Sequence, residues 1–130
     1  MYVPLRFISK LVADRISAII PGLPTENRIL ILSPKDQEVT SSGIIIPTSN
    51  NNDIPNKGVV ISSGIITDEY KTYKDLIKTG NIVTYGMYAG KELDFNPKLF
   101  EEAGIDFGKD KHKFSVLSLN EIIFVEPNNN

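Results

Sequence analysis

Apolar residues change their spacing once along this chain. Up to Ile20 they recur at helical intervals: Phe7, Ile8, Leu11, Val12, Ile16, Ile19 and Ile20 share a stripe with Arg15, while Lys10, Asp14 and Ser17 fall on another face. That pattern predicts an amphipathic helix, and Pro21-Gly22-Leu23-Pro24 ends it. From Arg28 onward the apolar residues come in short runs separated by Gly, Pro, Asn and Ser clusters: Ile29 to Leu32, Gly43 to Ile46, Val59 to Ile61, Ile82 to Tyr85, Phe114 to Leu119 and Ile122 to Val125. Short β-branched runs at irregular spacing, with no long helical pattern between them, predict a small barrel or sandwich and not a parallel sheet with crossover helices. The fold class is therefore mainly β.

Two intervals are too long and polar for simple turns. Ser33 to Lys57 contains Ser41-Ser42-Gly43 and Thr48-Ser49-Asn50-Asn51-Asn52-Asp53 on either side of one apolar island, Ile44-Ile45-Ile46. Segments of more than about 12–15 residues without secondary structure are usually functional or disordered. The island is expected either to order on a partner or to form a buried strand, since three consecutive isoleucines do not stay exposed without a reason. Asn96 to Lys113 is the second interval: Asn96-Pro97 supplies an N-cap followed by proline, and Ala103-Gly104 supplies a stop, which predicts a short helix from Pro97 to Ala103 in a surface insertion at 96–113.

A chain of 130 residues accommodates one domain around a modest core. The expected organisation is a helical extension over 1–24 followed by a β domain over 25–130. The net charge of −2, with both signs spread along the chain, supplies no basic stripe for a phosphate backbone, so nucleic acid is not an expected partner. No apolar stretch reaches the roughly 18 residues of a membrane span. The N-terminal segment has three readings: a helix docked on a core or a neighbouring subunit, a removable targeting signal, or a helix lying on a membrane surface.

Catalytic chemistry is thinly represented. There is no cysteine, and the lone histidine, His112, stands in Lys109-Asp110-Lys111-His112-Lys113, which reads as a solvated charged turn. No His/Cys cluster can close a metal site, and neither a phosphate-cradling glycine loop nor a serine elbow occurs. Asp106-Phe107-Gly108 spells a kinase triplet in a chain too short for that fold. Glu101-Glu102 and Asp68-Glu69 read as solvated faces. The expectation is a non-enzyme without cofactor.

The order of the extended segments carries a resemblance. Pro24-Thr25-Glu26-Asn27-Arg28-Ile29-Leu30-Ile31, then Val39-Thr40-Ser41-Ser42-Gly43-Ile44-Ile45-Ile46-Pro47, then Asn56-Lys57-Gly58-Val59-Val60-Ile61-Ser62-Ser63-Gly64 follow one another. Gly80-Asn81-Ile82-Val83, Tyr88-Ala89-Gly90-Lys91-Glu92 and Ser118 to Glu126 complete the series. In this order they resemble the co-chaperonin family, the GroES-type small heat-shock rings. Thr25, Asn27 and Ser42 depart from the family pattern, and the N-terminal helix and the 96–113 insertion lie outside it.

The resemblance implies a small, partly open β-barrel with a mobile loop over about 35–56 and a roof-like segment over about 63–79. Tyr70, Tyr73 and Leu76-Ile77 are more apolar than a bare roof needs, so this segment is expected to cover the barrel end. It also implies a homo-oligomeric lid, a heptamer in the family, that caps an ATP-bound chaperonin ring and encloses unfolded protein substrates. Chaperonin binding falls to Gly43, Ile44, Ile45, Ile46 and Pro47. The subunit interface falls to Arg28, Ile29, Leu30 and Ile31 of one copy against Ile122, Ile123, Phe124 and Val125 of the next. The alternative is a non-chaperone β-barrel binding or assembly module, such as a structural virion component, that uses Ile44 to Ile46 for protein contact. The expected location is the cytoplasm, an organelle matrix if 1–24 is a targeting segment, or a host cytoplasm if the chain is virus-encoded.

Overall fold

The structure is a computed structural model and describes residues 9–34, 56–86, 89–105 and 112–128. The chain runs α1 (Lys10–Ile19), β1 (Arg28–Pro34), β2 (Asn56–Ser63), a 3-10 helix (Asp68–Tyr73), β3 (Ile82–Tyr85) and β4 (Lys91–Leu93). It continues through α2 (Lys98–Glu102), β5 (His112–Ser118), a 3-10 turn (Leu119–Glu121) and β6 (Ile122–Glu126). The strands form one six-stranded sheet in the order β4-β5-β1-β2-β3-β6. Every pairing is antiparallel, and β4 and β6 are its two ends, so among the described residues the fold is mainly β as expected and the sheet is not closed, as the resemblance implied.

Position in the sheet explains why Ile29 to Leu32 shows no alternation. β1 lies at the centre and is buried on both faces. Ile29 and Ile31 point to a first face with Val60, Val83, Leu117 and Leu119, whereas Leu30 and Leu32 point to a second face with Val59, Ile61 and Phe114. A strand with apolar partners on both sides reads as a continuous hydrophobic run.

The segment after β2 covers the first face. Tyr70 and Tyr73 meet edge to face at 5.6 Å, both pack on the first-face core, and Ile77 is buried in it. Tyr70, Tyr73 and Ile77 therefore cover the first face of the sheet, while Leu76 stays half exposed.

Helices cover the second face. α1 begins where Ser9 Oγ accepts from the Val12 N–H at 3.2 Å, an N-cap that satisfies one otherwise unpaired donor. It ends before Pro21, with the Ile20 N–H donating to Ile16 O at 3.1 Å. Just before α2, Asn96 Oδ1 accepts from the Lys98 N–H at 3.0 Å, while Pro97 occupies the N-cap position. Phe100 is 3% exposed and stacks on Phe114, with ring centres 5.7 Å apart, while Phe95 meets Phe114 edge-on at 5.1 Å. The described part of the insertion is therefore packed on the sheet and is more than a surface excursion.

One sequence expectation needs correction, and one strand had no sequence signal. His112 is not a solvated turn residue: it opens β5 opposite Pro34 and is 4% exposed. Its flanking lysines suggested exposure, yet in a strand neighbouring side chains point to opposite faces. The strand β4 had no apolar signature, because Lys91-Glu92-Leu93 is short, exposed and defined only by its ladder to Val116, Ser115 and Phe114.

Candidate functional site

Gly43, Ile44, Ile45, Ile46 and Pro47 lie outside the described residues. What the fold establishes is where the chain that carries them leaves and returns. β1 ends at Pro34 and β2 starts at Asn56; the two strands are antiparallel neighbours, so both points lie at one end of the sheet. Pro34 is opposite His112 of β5, and Asn56 is opposite Tyr85 of β3.

β6 is the second region of interest. Among the described residues it pairs with β3 alone, leaving its other edge unpaired. Thr84 is opposite Phe124 and Tyr85 opposite Ile122, so Ile123 is an extra residue at a bulge. The bulge changes which side chains share a face. Ile122 and Val125 both pack on the first-face core, whereas the consecutive Ile123 and Phe124 are 71% and 58% exposed. Lys57 Nζ meets Glu126 Oε1 at 3.1 Å across β3 and holds the end of β6 to the sheet. Such a half-exposed pair contributes at most about 1 kcal/mol.

The opposite sheet edge is built differently. β4 is three residues long and carries Lys91 and Glu92, a short charged edge of the kind that discourages pairing with another chain. Among the described residues, β6 is the sheet edge that carries two consecutive exposed large apolar side chains.

The expectation that Arg28, Ile29, Leu30 and Ile31 form the partner surface does not fit the sheet. β1 is hydrogen bonded to β2 on one side and β5 on the other, and Ile29, Leu30 and Ile31 are 0%, 2% and 0% exposed. No edge of β1 is left for a second chain. Arg28 is exposed, but its Nη1 donates to Thr25 Oγ1 at 2.7 Å, within the turn that precedes the strand.

That turn presents apolar residues missed at the sequence level. Leu23 is 76% exposed and Ile65 is 78% exposed. They flank a tight crossing in which Gly64 abuts the carbonyls of Pro24 and Thr25, and a Cβ at Gly64 would overlap both. Asn27 ties the crossing together in a left-handed conformation, φ 58°. Its N–H donates to Ile65 O at 2.9 Å, its Oδ1 accepts from the Thr67 N–H at 2.9 Å, and its carbonyl accepts from the Leu119 N–H at 3.0 Å. Asparagine tolerates this backbone region better than most residues, and its side chain serves as a local hub. The sequence signal was Asn27 itself, standing immediately before a strand.

No three His, Asp or Glu side chains among the described residues come together as a metal-ligand group. No helix among them is long and apolar enough to cross a membrane. Among the described residues the protein thus presents an open antiparallel sheet with an unpaired β6 edge that carries exposed apolar side chains. Among known proteins, the chain is similar to co-chaperonin GroES of Bacteroides fragilis, at 41% identity over 71 residues, covering 55% of this chain and 74% of that one. It is also similar to co-chaperonin GroES of Porphyromonas gingivalis, at 41% over 71 residues, 55% of this chain and 75% of that one. A third similarity is to co-chaperonin GroES of Campylobacter hominis, at 31% over 77 residues, 59% of this chain and 80% of that one. The family model of the chaperonin 10 kDa subunit matches residues 23–125. The chain belongs to the chaperonin 10 kDa subunit family, a family of co-chaperonins. α1 precedes the matched region.

Proposed function

We propose that this protein is a non-enzymatic co-chaperonin whose subunits form a ring-shaped lid, bind an ATP-loaded chaperonin through Gly43, Ile44, Ile45, Ile46 and Pro47, and close its folding chamber over unfolded protein. The observation that carries this reading is the placement of the isoleucine island in the segment between the central strands β1 and β2 of a chaperonin-10 sheet. Burying an isoleucine side chain is worth about 1.5–3 kcal/mol, while ordering each backbone residue costs about 1–2 kcal/mol. One island therefore binds weakly, and several joined in one ring gain through effective concentration. The decisive experiment is refolding of a chaperonin-dependent substrate by a bacterial-type chaperonin and ATP, with and without this protein. A higher yield and ATP-dependent co-elution with the chaperonin are expected; neither occurring would rule the reading out.

Assembly runs through Ile122, Ile123, Phe124 and Val125 of β6 and, in place of β1, the exposed surface around Leu23 and Ile65. Two different apolar patches on one chain suit a heterologous contact, and such contacts close into rings when the rotation permits. A seven-membered ring in the cytoplasm follows the family. Phe124→Asp is expected to lower the mass measured by light scattering to that of a monomer while the far-ultraviolet circular dichroism stays unchanged, since Phe124 contributes little to its own subunit's core. An unchanged oligomer would exclude the β6 face from the interface.

A further inference from the structure

Two segments far apart in sequence, α1 and α2, act together on the second face of the sheet. Ala13 and Ile16 of α1 are fully buried, and they share one cluster with Phe100 of α2 and with Leu30, Val59 and Phe114 of the sheet. The helices also meet directly: Arg15 Nη2 donates to Ala103 O, the residue that closes α2, at 3.4 Å. At the other end of α1, Lys10 lies over Gly80, where a Cβ would come within 2.6 Å of the lysine Cγ; the left-handed φ of +98° there also favours glycine. Neither helix has the length to persist alone. α1 has ten residues and α2 five, whereas isolated helices below about 12–15 residues are marginal in water.

We infer that α1 and α2 form an intramolecular strap, in which α1 seals the apolar second face of β5, β1 and β2 and holds α2 in place, so that withdrawing α1 frees α2 and turns this face into a self-association surface. The inference does not depend on the chaperonin reading. Ala13 and Ile16, at 0% exposure, are the part of α1 that the sheet covers. Its uncovered side carries Lys10, Leu11, Asp14, Arg15 and Ala18. The connection to β1 is accessible, since Pro21, Gly22 and Leu23 are all exposed.

That accessibility supplies the test. A protease recognition sequence placed between Gly22 and Leu23 of the full chain allows the connection to be cut under native conditions. The cut chain is expected to retain α1 through size-exclusion chromatography and to elute like the uncut chain. In the Ile16→Asp chain a carboxylate replaces a fully buried side chain. After cutting it should shed α1, bind an apolar dye and aggregate. Leu11→Asp, at a side chain 69% exposed, should behave like the parent. If the cut parent sheds its N-terminal fragment while the remainder keeps its elution volume and melting temperature and binds no dye, the strap is overturned. The parent measurement stands even if Ile16→Asp fails to fold. No readout involves a chaperonin, so failure here and failure of the co-chaperonin reading are separate results.

Discussion

Ile45→Asp is expected to leave the sheet domain folded and to abolish capture by an ATP-loaded chaperonin. The substitution removes about 1.5–3 kcal/mol of apolar burial from each island. It also asks an apolar groove to accept a carboxylate, at a further cost of several kcal/mol unless the charge finds a partner. At about 1.4 kcal/mol per factor of ten, each island loses at least roughly tenfold in affinity. In the proposed ring the islands would act together, so the deficits multiply. The measurement is ATP-dependent co-elution with a chaperonin, paired with a melting curve. Retained capture with an unchanged melting temperature would remove Ile45 from the binding surface, and a collapsed melting curve would point instead to a buried strand.

Phe114→Ala is expected to produce the largest loss of stability among single changes in the described residues. Phe114 is 5% exposed, lies opposite Leu32 in the central ladder and holds Phe100 and Phe95 on its ring. Truncating a buried phenylalanine costs about 3–5 kcal/mol through lost transfer energy and the cavity left behind. For a domain stable by about 5–15 kcal/mol this is a large fraction. A fall in melting temperature of roughly 10–20 °C should follow. Helical circular dichroism should decline as well, because α2 rests on this ring. A change of less than about 1 kcal/mol would mean that the second face is not the core described here.

Much of the scaffold was legible because its elements carry local signatures. The existence of α1, the Pro21–Pro24 stop, the start of α2 at Asn96-Pro97 and the strands at Ile29, Val59, Ile82, Phe114 and Ile122 follow from periodicity and turn chemistry, but the buried face of α1 did not: Leu11 and Arg15 of the expected stripe are exposed and Ala13 is buried. What stayed hidden depended on neighbours distant in sequence. β4 is defined by its pairing with Val116, Ser115 and Phe114, and His112 is buried at the start of β5, opposite Pro34. The bulge at Ile123 exposes two successive apolar residues, which strict alternation would have divided between the faces.

The isoleucine island and its place between two strand motifs are properties of the sequence by itself, and they were sufficient to point to a co-chaperonin. Strand order was a tertiary decision. An apolar run such as Ile29 to Leu32 reads the same whether it borders another subunit or lies at the centre of its own sheet, since hydrophobicity records burial and not the identity of the covering surface. Ladders on both sides of β1 made it central and, among the described residues, left β6 as the apolar edge, which is why the proposed subunit contact uses the surface around Leu23 and Ile65 in place of Arg28–Ile31.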